Sequence, residues 1–193
     1  MTKDHVSFQR RPFLAPLWLT AVAVVGATLV FGFAVFTVWA WATADSTTVI
    51  VIRHAEKDVA ANAVDPPLSE AGQARAALLA RMFGDAKSLG HLDAIYVSPA
   101  LRNRLTAAPL EARLGLSATV APADDPSGLA RRALHEHGGG RVLIIGHTDT
   151  VPQIVQALSG NPDIPPIAAE EYGTMYIVTV PRIGRPNLLR LNY

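Results

Sequence analysis

Between Pro12 and Ala44 the chain carries no charged side chain. That gap constrains the fold more than any other feature. Leu17 to Trp41 reads LWLTAVAVVGATLVFGFAVFTVWAW. A helix lying on a water-soluble domain needs a polar face, and this stretch has none. It exceeds the roughly 20 residues that cross the hydrocarbon core of a bilayer. Trp18 stands near one end and Trp39 and Trp41 near the other, where indole rings favour the two membrane interfaces. Lys3, Arg10 and Arg11 precede the segment and Asp45 follows it. The positive-inside rule then predicts a cytoplasmic N-terminus, with everything after residue 44 outside. The expected organisation is a cytoplasmic tail over 1–13, a transmembrane signal anchor over 14–42 and a single domain over 46–193. The alternative is a cleaved secretory signal, because Ala42-Thr43-Ala44 forms a small-residue cleavage pattern. Against it, the apolar run is longer than the about 7–15 residues of a signal core. Either reading exports the domain, from a single-pass protein of the inner (cytoplasmic) membrane to the periplasm or cell exterior.

The rest of the composition narrows the function classes. With 193 residues, the chain has room for one ordinary domain beyond the apolar segment. A formal net charge of +1 gives no electrostatic footprint for nucleic acid. The absence of cysteine excludes disulfides, zinc–thiolate sites and iron–sulfur clusters. Gly26 and Gly32 would let the membrane helix pack against another, and nothing else in the sequence indicates an oligomer or complex.

Residues 46–193 alternate between two kinds of segment. Thr48 to Ile52 (TVIVI) is a β-branched run suited to a buried strand. Ser69 to Phe83 is rich in alanine and leucine, with Ser69 placed to cap a helix. Ala94 to Val97 predicts a second strand, and Leu101 to Leu114 a helix stopped by Gly115. Asp125-Pro126 opens a third helix, as N-cap and first-turn proline. Gly138-Gly139-Gly140 ends it, and Arg141 to Ile145 (RVLII) follows as another core strand. Val151 to Leu158 predicts a short helix. Met175 to Val180 and Leu188 to Leu191 predict a hairpin around Gly184. Strands alternating with helices imply an α/β three-layer sandwich. Its mostly parallel sheet would be covered by helices on both faces and preceded by the one transmembrane helix.

In such sheets the working residues collect past the carboxyl ends of strands. Past the first strand come Arg53-His54-Ala55-Glu56-Lys57. Past the second come Ser98-Pro99-Ala100-Leu101-Arg102, and past the third Gly146-His147-Thr148-Asp149-Thr150. Two arginines and two histidines therefore converge on one sheet edge. Guanidinium forks match the geometry of phosphate oxygens and stay charged at any working pH. A neutral imidazole can attack phosphorus. A second imidazole can hold the equatorial oxygens in the transition state. A metal site is disfavoured, because no third ligand has a helpful spacing and cationic neighbours repel a metal ion.

At this point the motifs resemble a known family. VIRHAEK is similar to the Arg-His signature of the histidine phosphatase superfamily, also called phosphoglycerate-mutase-like. PPLSEAGQARA resembles its Leu-Ser/Thr-x-x-Gly segment, and VSPALRNRLTAAPLEARLGL its Ser-Pro-x-x-Arg-x-x-x-Thr-Ala helix. VLIIGHTDTVP resembles the late Gly-His segment of small bacterial members. The resemblance covers about residues 48–181 in family order. It implies that His54 becomes phosphorylated, that Arg53 and Arg102 bind the phosphoryl group, and that His147 completes the pocket. It implies a two-step hydrolysis of a phosphomonoester, with no metal or organic cofactor.

The sequence departs from the family pattern in places. Ala55 replaces a glycine, Leu105 stands where glutamine is frequent, and Asp149 replaces asparagine. The family's general acid comes from the region holding Asp124 and Asp125. Asp124 is the preferred candidate, since Asp125 is accounted for as a helix cap; Glu56 and Asp149 are alternatives.

Three functions compete. The first is a membrane-tethered phosphatase acting on a phosphorylated substrate. The second is a catalytically weak accessory or binding subunit of a membrane complex. The third is a mutase, which the short connections between motifs disfavour. Short connections also imply an open pocket suited to a bulky phosphorylated group, with lipid-linked or envelope phosphates suggested by location. Glu170-Glu171-Tyr172 either rims the pocket or is a plain loop. His91, His135 and His137 are expected to be solvated.

Overall fold

The computed structural model describes residues 17–44, 46–84 and 91–193. The chain divides into two units between Trp41 and Ala42. The first contributes most of one apolar helix, α1 (Leu17–Ala44). Val30, Phe31 and Phe33 on it are 71 %, 72 % and 70 % exposed, so it is not the core helix of a soluble fold. Its span Trp18–Trp39 is long and apolar enough to cross a membrane, and a signal sequence would meet the same description. The expected tail over 1–13, the first residues of the expected span and Asp45 lie outside the described residues.

The second unit is an α/β sandwich around a six-stranded sheet ordered β3-β2-β4-β1-β5-β6. The strands are β1 (Ser46–Arg53), β2 (Ala94–Val97), β3 (Thr119–Val120), β4 (Arg141–Gly146), β5 (Thr174–Pro181) and β6 (Asn187–Asn192). The helices are α2 (Glu70–Gly84), α3 (Leu101–Leu114), α4 (Pro126–Glu136) and α5 (Thr150–Ser159). β1, β2, β3 and β4 pair in parallel, while β5 pairs antiparallel with both β1 and β6. The mostly parallel sheet and the closing hairpin are thus as expected, and Gly184 in the turn has φ +119°. The short edge strand β3 has no counterpart in the sequence pattern, because two exposed residues carry no periodic signal.

The pleat sends alternate residues of each strand to opposite faces. Val49 and Val51 of β1 join Val142 and Ile144 of β4, packed with Ala130 and Ala133 of α4 and Val151, Ile154 and Val155 of α5. Ile50 and Ile52 join Leu143 and Ile145, packed with Leu79 and Phe83 of α2 and Ala107 and Leu110 of α3. Two buried layers flank one sheet, which explains why its central strands read as continuous β-branched runs.

The sequence signals at helix ends act as expected. The Ser69 hydroxyl accepts from Gly72 N at 3.2 Å, and Asp125 accepts from Gly128 N at 2.7 Å to cap α4. Gly115 ends α3 in the left-handed conformation, φ +66°. Gly72 matters for close approach instead, since a Cβ there would collide with the carbonyl oxygen of Glu56. Only glycine lets α2 come so near the segment leaving β1.

Candidate active site

The register brings the strand ends together. Arg53 pairs with Gly146 across β1 and β4, and Val97 pairs with Ile145 across β2 and β4. Arg53-His54, Ser98 and His147 therefore leave the sheet side by side. His54 N donates to Gly146 O at 3.0 Å, extending the ladder one step past the strand.

Helix α3 is latched to this edge at two points, which fixes Arg102. Asn103 Nδ2 donates to Ile145 O at 2.8 Å and Gly146 O at 3.3 Å, at the exit of β4. Thr106 Oγ1 accepts from Ala55 N at 3.0 Å and donates to Arg102 O at 2.7 Å, at the exit of β1. Asn103 and Thr106 are buried. Asp65 adds a third tie, accepting from Leu101 N at 2.8 Å and pairing with Arg102 Nη1 at 3.3 Å.

Within the cluster the hydrogen bonds settle both imidazole tautomers. His54 Nδ1 donates to Ala55 O at 2.7 Å. Its Nε2 then keeps a lone pair, which accepts from Arg102 Nε at 3.2 Å. His147 Nδ1 accepts from Arg102 Nη2 at 3.2 Å, so its Nε2 donates to Ser98 Oγ at 2.8 Å. The two imidazole rings meet edge to face with centroids 5.5 Å apart. Burial, helped by Arg102, Arg53 and His147, lowers the His54 pKa to about 4. Burial and Arg102 lower that of His147 too. Both imidazoles are therefore neutral near pH 7, and one presents an unprotonated nitrogen.

These groups line a cavity of about 520 Å³ formed by Arg53, His54, Lys57, Arg102, Ala123, Asp124, His147, Thr148, Asp149 and Thr150. The structure thus brings all five of the predicted site residues, Arg53, His54, Arg102, Asp124 and His147, to one cavity. The four carboxyl candidates separate here. Asp124 and Asp149 line the cavity. Glu56 is engaged by Arg75, with Nη2 2.6 Å from Oε1, and Asp125 caps α4. Leu105 packs against Ala55, Leu68 and Ala76 instead of lining the cavity. Among the described residues, no three His, Asp or Glu side chains gather as a metal-holding group.

Some contributors have a role that the sequence does not show. Asp65 and Thr106 act through other residues, and Ser98 gains its role only from its distance to His147. Tyr172 lies under the Arg53 guanidinium, 3.9 Å from Cζ to the ring centroid. His137 is not simply solvated, since its Nε2 lies 3.2 Å from Tyr96 Oη.

The model of the histidine phosphatase superfamily (branch 1) matches residues 49–123, the stretch carrying Arg53, His54 and Arg102. Over that stretch the chain is similar to the histidine phosphatase superfamily. Solved structures extend the likeness in fold past that stretch. The protein histidine phosphatase SixA, solved with tungstate, aligns at 19 % identity and TM-score 0.58, over 75 % of this chain and 96 % of its own. Mycobacterial hydrolase 2 aligns at 16 % identity and TM-score 0.57, over 75 % and 89 %. A mycobacterial glucosyl-3-phosphoglycerate phosphatase aligns at 16 % identity and TM-score 0.53, over 76 % and 99 %. No curated protein matches the sequence. The family-model match supports a phosphatase.

Proposed function

We propose that this chain hydrolyses a phosphomonoester, without a metal, through a phosphohistidine on His54. The observation that carries the reading is the tautomer of His54. With Nδ1 donating to Ala55 O, the lone pair of Nε2 stands beside Arg102, in the cavity shared with Arg53 and His147. Nε2 attacks phosphorus and the P–O bond to the leaving group breaks in line. Water then attacks the phosphohistidine, the P–N bond breaks, and inorganic phosphate leaves. Arg53 and Arg102 hold the equatorial oxygens, where charge accumulates in the transition state, and His147 completes the pocket by accepting from Arg102 Nη2 and so orienting that guanidinium. Among the described residues, the buried Arg53 Nε has no hydrogen-bond partner, a donor that a phosphate oxygen would satisfy. Tungstate, which the SixA structure holds, is a tetrahedral oxyanion like phosphate and is a suitable probe of the site.

Asp124 is the proposed proton donor to the leaving oxygen, with Asp149, which also lines the cavity, as the alternative. The proposed organisation keeps residues 1–13 as a cytoplasmic tail, 14–42 as an uncleaved anchor, and 46–193 as the catalytic domain in the periplasm or exterior. Lys3, Arg10 and Arg11 before the span and Asp45 after it support that orientation.

The test uses the full chain in detergent. Wild type is expected to release phosphate from para-nitrophenyl phosphate and, quenched during turnover, to carry an acid-labile phosphoryl group. His54→Ala should lose both. Equal, negligible release by the two proteins would replace this reading with an accessory role.

A further inference from the structure

The loop between α5 and β5 reaches the site from a direction that the three strand ends do not. Because β5 runs opposite to β1, pairing Met175 with Ile52, the loop enters at the edge where the parallel strands end. There it encloses one arm of a guanidinium. Arg53 Nη1 donates to the carbonyl oxygens of Ala168 at 3.1 Å, Ala169 at 2.7 Å and Glu171 at 3.1 Å. The Tyr172 ring lies against the same guanidinium and meets His54 edge to face, centroids 6.0 Å apart.

The loop is itself held by a carboxylate. Glu171 accepts from Arg190 Nη2 at 2.6 Å, from the Thr174 hydroxyl, and from Ala168 N at 3.4 Å. Arg190 lies on β6, the outer strand of the hairpin. A continuous chain of contacts therefore runs from the edge strand through Glu171 and three carbonyls to Arg53. An arginine on a flexible stem loses freedom when it grips an anion, and a cage that holds it beforehand removes that cost from binding.

We propose that Glu171 and Tyr172 are positioning residues: Glu171 shapes the carbonyl cage, Tyr172 covers the guanidinium, and together they aim Arg53 at the phosphoryl group. The proposal rests on the reading of Arg53 as a phosphate clamp. Neither residue touches the substrate. Loss of the cage weakens oxyanion binding while the nucleophile stays intact.

The test measures inhibition by tungstate, with KM and kcat for para-nitrophenyl phosphate, on the full chain in detergent. Glu171→Gln and Tyr172→Leu are expected to raise the tungstate Kd and KM about tenfold with kcat within about threefold of wild type. Tyr172→Phe, which keeps the ring, should restore wild-type values. Arg190→Gln should resemble Glu171→Gln, and the double variant should be no worse than either single one. Arg53→Ala is the control for the clamp. If it weakens tungstate while Glu171→Gln and Tyr172→Leu leave binding within twofold, the positioning role is overturned and the clamp stands. If Arg53→Ala changes nothing, the clamp falls and the positioning role with it. Failure of Tyr172→Phe to restore binding would also overturn the part assigned to the ring.

Discussion

The Ser98 hydroxyl decides which nitrogen of His147 faces the cavity: its Oγ lies 2.8 Å from Nε2, leaving Nδ1 toward Arg102. Ser98 is buried and immediately follows β2. Ser98→Ala should therefore free the imidazole to rotate and change tautomer. A drop of about tenfold in kcat is expected, with partial recovery in Ser98→Thr, read from steady-state rates on one substrate. An unchanged kcat in Ser98→Ala would remove the serine from the mechanism.

His54 governs the acid limb of the rate. Its burial and cationic neighbours set its pKa at about 4, below the ordinary 6.5. The neutral, nucleophilic form is then present above that value and is lost as the pH falls through it. kcat/KM should hold down to about pH 5 before declining, once substrate ionisation is allowed for. The same depression makes a stability prediction. The unfolded chain takes up a proton at His54 near 6.5 and the folded one only near 4, so stability from this group falls as pH drops through that window. An acid limb centred near 6.5 would contradict the buried geometry.

Thr106 joins the nucleophile's strand exit to the helix of Arg102. Thr106→Val keeps the shape and removes both hydrogen bonds, leaving the buried Ala55 N–H without an acceptor. A loss of about 1–3 kcal/mol is expected, seen as a fall of several degrees in melting temperature. kcat should decline as well, because Arg102 is no longer held against the sheet. A melting temperature equal to that of wild type would show that the latch is dispensable.

The two carboxyl groups that line the cavity can be separated by leaving group. A proton donor matters most when the departing alkoxide is strongly basic. Asp124→Asn should slow hydrolysis of an alkyl phosphate by about 100-fold and of para-nitrophenyl phosphate far less. Asp149→Asn should affect the two substrates about equally. The reverse pattern would make Asp149 the donor.

Much of this site is legible in the sequence because its principal residues sit beside strong local signals. Arg53-His54 and His147 directly end β-branched runs, and Arg102 opens a helix after another. The caps at Ser69, Asp125 and Gly115 are readable for the same reason, since each acts within a few residues of itself. Asp65 is not, because its partner Arg102 is brought near only by the packing of α3. Tyr172 reads from sequence as either rim or loop. Its neighbour Arg53 lies across the reversed pairing of β5 with β1, a register that a hydrophobic pattern does not specify. β3 is too short to have a period, and His137 meets Tyr96 only once α4 is laid on the sheet.

The reversal of β5 also bears on how such a domain can diversify. The other connections that carry the proposed catalytic residues begin where parallel strands end. The segment from Gly160 to Gly173 arrives against that traffic, and among the described contacts it meets the machinery through backbone carbonyls and one ring. It is the natural place to graft a longer insert that narrows the entrance. Substrate range could then be redrawn there while strand register and nucleophile remain as they are.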